Sequence, residues 1–522
     1  MPVVVIGAGL AGLSAALHLA DRGVLPIVLE ADQLWPGGRL SGGDPDVFQH
    51  RGRDWKFPNE HGVHAVWGGY ANLRTLLERF TDTRLIPSPG EEWINRWGRE
   101  VRRIEAGNAV RSRWIPAPFH YLNLLLHPAI WQTITPLDFL SLPGFLVSIL
   151  LTVGVDPMRE GIAWDGLRMR EYFRGWTPNL RATFVGLGAN LLAAPPEEVD
   201  LAAFIAALRF YTVLRRDAWN MAYFPSDAHS SLIQPLREAV KAREGWMLPG
   251  TTALCLERDG DGWRIIVEDA ARQGLRALYA EQVVLATNAS AAERLLLTSP
   301  DTASEAGQLI FPDELRNAVT RLWFDQSPRA GTPGGMFTGD FVPDNFFWLQ
   351  RLYPEYAAWH AETGGSALEM HLYGTDALMD QPDANMIVTA VSEARCAWPE
   401  LREATLLHAI VRRNSKAQTR LRIPDAHTLA VETPWLGIVA CGDWLRAPEI
   451  AALWMERSVA TSIAAANVLL TARGLDPYPV LRPDPPEALA RALGGLVQGG
   501  RKVFGPPLRG IRRALRRRHQ PA

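Results

Sequence analysis

Cysteine is scarce in this 522-residue chain. Cys255, Cys396 and Cys441 stand far apart and match no zinc or redox spacing. That excludes a disulfide scaffold and fits a reducing compartment. No charged n-region and apolar h-region precede the opening MPVVVIGAG, so the expectation is a cytoplasmic protein, peripheral on the cytosolic membrane face. One apolar stretch, 139–155, lacks charge over seventeen residues, but Pro143 and Gly144 interrupt it, and it is short for a membrane span. It reads equally as a pair of core helices or as a segment dipping into the lipid interface. Internal repeats are absent, as is low-complexity sequence before the tail. Acidic residues stop at Glu487, and nine basic ones follow. Set against a formal total of −2, those nine cations leave −11 on residues 1–487.

What is present begins with length enough for two domains, or for one domain with a large insertion. Nineteen tryptophans point to broad aromatic surfaces for packing or for an apolar ligand. The opening VVVIGAGLAGLSAALHLADRGVLPIVLE reads as strand, tight turn, helix and second strand. Gly7 permits the turn, Gly9 lets the backbone approach a pyrophosphate, and Gly12, beside Ala11, lets helix and strand pack closely. The helix N-terminus turns its N–H groups toward the phosphates, and Glu30 closes the second strand as acceptor for ribose hydroxyls. Strand, helix, strand and acid in register make this a dinucleotide site.

Gly37, Gly38 and Arg39 follow in GGRLSGG. This Gly-Gly-Arg after the ribose acid resembles the flavoprotein family of amine oxidases and phytoene desaturases, which implies FAD, with Arg39 beside its phosphates and flavin. The same resemblance extends to GIVACGDWL and LWMERSVATSIAAANVLL near the far end. It implies a short strand, a Gly442-Asp443 turn holding the ribityl or phosphate region, and a helix whose first turn, with Met455 and Glu456, sits under the flavin. The middle segment TALCLERDGDGWRIIVEDA, followed by EQVVLATNASAAERLL, is similar to the family's re-entry into the nucleotide domain, with Ala253 beside the adenine.

The implied fold class is α/β with an α+β insert: a discontinuous Rossmann-type FAD-binding domain at 1–75, 240–300 and 425–475. A substrate-binding domain would occupy 76–239 and 301–424, leaving 476–522 as a basic tail.

Within the family, EHGVHAVWGGYANLRTLLERF resembles the carotenoid-desaturase branch, and Gly62, Val63 and His64 would lie against the flavin. The pair His61 and His64 lacks a third ligand in a suitable context, so no metal is assigned. Gly-Asp rather than Gly-Glu near the end points to the same branch, and GDWLR with MER is most similar to enzymes that desaturate and aromatise carotenoid end rings. Ordinary phytoene desaturases have MEGA with a shorter gap; Arg457 and the eleven residues between Asp443 and Met455 depart from that pattern.

The expected activity is hydride removal from an isoprenoid or carotenoid to flavin N5, with quinone or oxygen as electron acceptor. A ring desaturase or methyl-shifting aromatase, a carotenoid isomerase and a flavin amine oxidase stand as alternatives. No catalytic residue is assigned: His64, Arg446 and Glu449 are candidates for the proton acceptor, each with an equal structural reading. Cys396 does not match a covalent flavin link. In the tail, Leu508, Ile511 and Leu515 share one helical face among arginines, which suits an anionic membrane better than nucleic acid.

Overall fold

The computed structural model describes residues 2–329, 331–450 and 452–518, with side-chain surroundings defined as far as Val503. Leu508, Ile511 and Leu515 therefore lie outside the described side chains.

A five-stranded parallel sheet is assembled from distant pieces of chain. Its order is Trp246–Pro249, Pro26–Glu30, Val3–Ile6, Gln282–Leu285 and Ile438–Ala440. Val3–Ile6 is central and wholly buried, as expected of a β-branched run covered on both faces. Helix Leu10–Ala20 returns from its end. Gly12 is obligatory here, because a Cβ at that position would stand 1.9 Å from the Gly7 carbonyl oxygen. The same helix packs along Trp454–Ala472, where small side chains on both surfaces let the backbones approach. Ser462 Oγ donates to Ser14 Oγ at 2.6 Å in that interface.

The residues GDGW turn strand Thr251–Asp259 into Gly262–Asp269, and Gly274–Ala280 completes a three-stranded antiparallel sheet. A seven-stranded sheet lies beyond it, in the order 406–419, 314–324, 366–372, 345–348, 334–339, 92–97 and 100–105. All its pairings are antiparallel except 334–339 with 92–97. Helix 178–192 packs on strand 334–339 of this sheet, helix 201–208 packs on it in turn, and helix 142–154 packs on 201–208. The apolar stretch forms a 3-10 turn, Pro136–Ser141, and helix Leu142–Gly154, with Pro143 in the helix's first turn, where a missing N–H costs nothing. Its burial is one-sided: Gly144, Ser148, Ile149, Thr152 and Val153 face the protein, whereas Leu142, Leu146, Val147 and Leu150 are exposed.

Glu456 is expected from resemblance at a flavin, but the structure turns it elsewhere. Its carboxylate is fully buried and accepts from the backbone N–H groups of Asn72 (2.8 Å) and Leu73 (3.0 Å) and from Asn72 Nδ2 (2.7 Å). These groups open helix Ala71–Phe80, whose N-terminus has no capping side chain of its own. An acid at a helix N-terminus satisfies orphan donors and the helix dipole together. Glu456→Ala strands two buried N–H groups, so chemical denaturation should register a loss of about 2–4 kcal/mol, and Glu456→Gln a smaller one.

Candidate functional site

One cavity of about 1160 Å³ runs between the parallel sheet and the seven-stranded sheet. Its first wall is the opening turn, with Gly7, Gly9 and Ala11, and the N-terminus of helix Leu10–Ala20 carries no side-chain cap. Its second wall is the late segment, with Gly442, Asp443, Met455 and Ser458, and that helix too begins without a side-chain cap. Both helices thus offer bare N–H groups and the positive end of a dipole to this region.

Glu30 stands at one end of the cavity with Ala253 and Thr252 nearby. Its oxygens accept from the N–H groups of Ala8 (3.0 Å) and Asp32 (2.9 Å). Burial nevertheless raises its pKa above the usual carboxylate value. Gly37 and Gly38 take positive φ and bring their backbone to the cavity wall. Arg39 follows and ties three segments together. It donates to Asp443 at 3.0 Å, to Glu314 at 3.0 Å and to Thr419 at 2.8 Å. Its Nε is buried without a partner, as is Thr287 Oγ1 on the same cavity wall. Two orphaned polar atoms beside bare helix ends fit a bound polar, anionic group.

Gly62, Val63 and His64 also line the cavity. Gly62 has φ +140°, and a Cβ on it would come within 2.7 Å of the His371 ring. His61 is packed against His64 with ring centroids 4.6 Å apart. Burial, aided by His64, His371 and Arg39, pushes the His61 pKa well below the ordinary imidazole value. Among the described residues no group of three His, Cys, Asp or Glu side chains is placed to hold a metal.

The sequence-derived site residues therefore meet in one place, apart from Gly12, which serves helix–strand packing, and Glu456, which caps a helix. Arg446 and Glu449, weighed as proton acceptors, are exposed and absent from the cavity wall. The departure at Arg457 has a local cause. Its buried guanidinium donates to the carbonyls of Leu445 (2.6 Å) and Ile450 (2.8 Å) and so satisfies the long loop before the helix.

Sequence reasoning missed a polar cluster on strand Ser366–Leu372 and the residue after it. Glu369, His371 and Tyr373 alternate, so they share one face, and His371 and Tyr373 reach the cavity. Glu369 is fully buried behind them. It accepts from Val63 N–H at 2.7 Å, from Arg321 Nε at 2.7 Å and from His371 Nε2 at 2.6 Å. Burial opposes its ionisation, but Arg321 and His371 outweigh that and hold its pKa well below the carboxylate range. The Glu-x-His-x-Tyr alternation was visible in LEMHLY, but nothing in the sequence said which face of that strand meets the cavity.

Residues 5–80 match the family model for an NAD(P)-binding Rossmann-like domain. The chain is 26% identical to a carotenoid phi-ring synthase of Streptomyces griseus, over 91% of this chain and 88% of that protein. It is also 26% identical to the chloroplastic/chromoplastic 15-cis-phytoene desaturase of Arabidopsis thaliana, over 50% of this chain and 44% of that one. Cyclohexylamine oxidase from Brevibacterium oxydans IH-35A shares the fold, with TM-score 0.62 and 16% identity over 91% of this chain and 99% of that one.

The contact between Gly62 and the His371 ring gives a direct test. Gly62→Ala places a methyl group into that ring on a backbone that disfavours any side chain. The melting temperature should fall by an amount corresponding to about 1–3 kcal/mol.

Proposed function

We infer, from the premise that the chain belongs to the amine oxidase and phytoene desaturase superfamily, that it is an FAD-dependent oxidoreductase acting on a carotenoid. The enzyme class is supported by relatives and structural neighbours that include desaturases and an amine oxidase. One observation carries the cofactor: the two uncapped helix ends and Arg39 face a single cavity from opposite ends of the chain. FAD would be held by Glu30 at its adenosine ribose, by the Gly7–Gly12 turn with Arg39 at the phosphates, by Asp443 at the ribityl or phosphate region, and by Gly62–His64 and Met455 at the flavin. Bound there, a flavin supplies a two-electron acceptor, and the protein supplies orientation and exclusion of water.

The substrate end of the same cavity carries Trp67, Tyr70, Tyr211 and Trp454, faces suited to an apolar polyene. Similarity to the Streptomyces ring synthase spans nearly the whole chain, whereas similarity to the plant desaturase spans half. That favours action on a carotenoid end ring. Desaturation of the acyclic chain is the second reading, favoured by the half-length matches. Quinone or oxygen would take the electrons onward.

The test is expression in hosts that accumulate cyclic or acyclic carotenoids, with pigments identified by mass. A flavin-loaded protein should yield, from the cyclic pigment, a product lighter by whole multiples of H2. An unchanged profile in both hosts would overturn the carotenoid reading.

Peripheral membrane contact belongs to the same proposal, since such a substrate resides in lipid. Its support is a patch of exposed apolar side chains around the one-sided helix, including Leu137 (70% exposed), Leu140 (71%) and Val147 (66%), with Trp131 and Leu126 nearby. Segment Pro136–Gly154 is long and apolar enough to cross a bilayer by composition, but its inner side is committed to protein contacts. A monotopic attachment uses only the outer side. The helix Ala488–Arg518 packs on Leu142–Gly154, with Val497 against Gly154 and Arg501 paired to Glu160 at 2.7 Å. Wild-type protein should sediment with vesicles containing anionic phosphatidylglycerol. The double substitution Leu140→Glu and Val147→Glu should leave it in the supernatant, with circular dichroism and flavin content unchanged.

A further inference from the structure

We propose that Tyr373, backed by His371 and Glu369, takes the proton lost by the substrate. The proposal rests on the carotenoid-oxidoreductase reading and names the proton acceptor that reading leaves open. Its basis is an unbroken chain of hydrogen-bonded atoms ending at the cavity. Glu369 Oε1 lies 2.6 Å from His371 Nε2, and His371 Nδ1 lies 3.1 Å from Tyr373 Oη. With Glu369 a carboxylate, pinned by Arg321 and the Val63 N–H, Nε2 carries the ring hydrogen and Nδ1 is the acceptor. The tyrosine hydroxyl therefore donates inward; Asn345 Nδ2 donates to its oxygen at 3.2 Å, which leaves one lone pair for the cavity that Tyr373 lines.

Desaturation breaks two C–H bonds on neighbouring carbons. One hydrogen would leave with its electron pair, for which a bound flavin would supply the acceptor. The other leaves as a proton to Tyr373 Oη, and the electrons of its bond form the new C=C. As Tyr373 accepts, its own proton passes to His371 Nδ1, and the imidazolium is balanced by Glu369. No free tyrosinate forms, which matters because burial holds the Tyr373 pKa above the normal phenol value. Tyr373 is the catalytic residue in this scheme; His371 and Glu369 position and charge-balance it.

Tyr373→Phe removes a single oxygen and keeps the packing. Flavin content and carotenoid affinity, read by quenching of flavin fluorescence, should match wild type, and the melting temperature should fall only by what the lost Oη bonds to His371 and Asn345 cost. The rate of anaerobic flavin bleaching by carotenoid should fall about 100-fold or more. His371→Ala should lose rate similarly, and imidazole added to the buffer should restore part of it. A Tyr373→Phe protein that bleaches within a few-fold of wild type, or one changed only in affinity, overturns the relay. Failure of imidazole to restore any rate removes His371 from it. If wild-type flavin is not bleached by any cyclic or acyclic carotenoid, it is the carotenoid reading itself that falls, and the relay's substrate with it.

Discussion

Everything at the site depends on Arg39 being held between Asp443 and Glu314. These residues come from the first segment, the last segment and the seven-stranded sheet, and each ion pair measures 3.0 Å. One guanidinium thus fixes the mutual position of three pieces of chain that sequence separates by hundreds of residues. Glu314 is further engaged by Lys416 at 3.5 Å and by Asn288 and Ser290. The formal charges of this cluster cancel, two cations against two carboxylates. A diphosphate settling beside it would find little net positive charge in the side chains. On the proposed reading, the helix N-termini and their bare N–H groups, which need no counter-ion and cannot move away, supply attraction that this cluster does not. On the proposed reading, that is why both ends of the chain contribute a helix start to the same place.

Much of this was legible in the sequence, because the dinucleotide turn is a local device. Gly7, Gly9, Gly12 and Glu30 act within one strand–helix–strand unit, and spacing alone puts them in register. Gly442 and Asp443 were legible by resemblance, and the strand before them pairs with Gln282–Leu285 as a fifth sheet member. Glu456 failed for a geometric reason. Residues one apart on a helix point about 100° apart, so Met455 meets the cavity while its neighbour looks toward Asn72. Arg446 and Glu449 failed because closeness to Asp443 in sequence says nothing about the course of an irregular loop, which here turns both outward. Glu369, His371 and Tyr373 were invisible for the opposite reason: alternation gives a shared face, and only the assembled sheet says what that face meets.

On the proposed reading, the polar cluster behind Gly62 answers a problem posed by an apolar substrate. A cavity that takes a polyene would gain nothing from ionised groups near it unless each is satisfied, since an unpaired buried charge costs several kcal/mol. Arg321 meets that condition: besides Glu369 it donates to Asp46 and to the carbonyls of Pro58 and Glu60. Glu60 in turn accepts from Tyr353 and from the Ala228 N–H. The network reaches the cavity wall at His371 and Tyr373, and again at His64, 3.7 Å from Glu60. On the proposed relay, its satisfied ion pairs keep their charge fixed while a proton moves at the His371–Tyr373 end.

The charge asymmetry along the chain takes on meaning beside the one-sided helix. Residues 1–487 carry a net −11, which opposes approach to an anionic lipid surface. An apolar patch alone would have to overcome that repulsion. The nine cations after Glu487 belong to a segment that packs directly against the helix bearing the patch, and Arg501 on that segment is engaged with Glu160 and the Gly154 carbonyl. Among the described side chains, Arg491, Arg501 and Lys502 belong to this segment beside the exposed apolar side chains. Because screening confines electrostatic attraction to roughly 10 Å at ordinary salt, cations close to the patch would, on the proposed membrane reading, bear on orientation as well as binding. On that reading, the acidic body would turn away, the apolar patch would turn toward the lipid, and a substrate leaving the bilayer would meet the protein on that side.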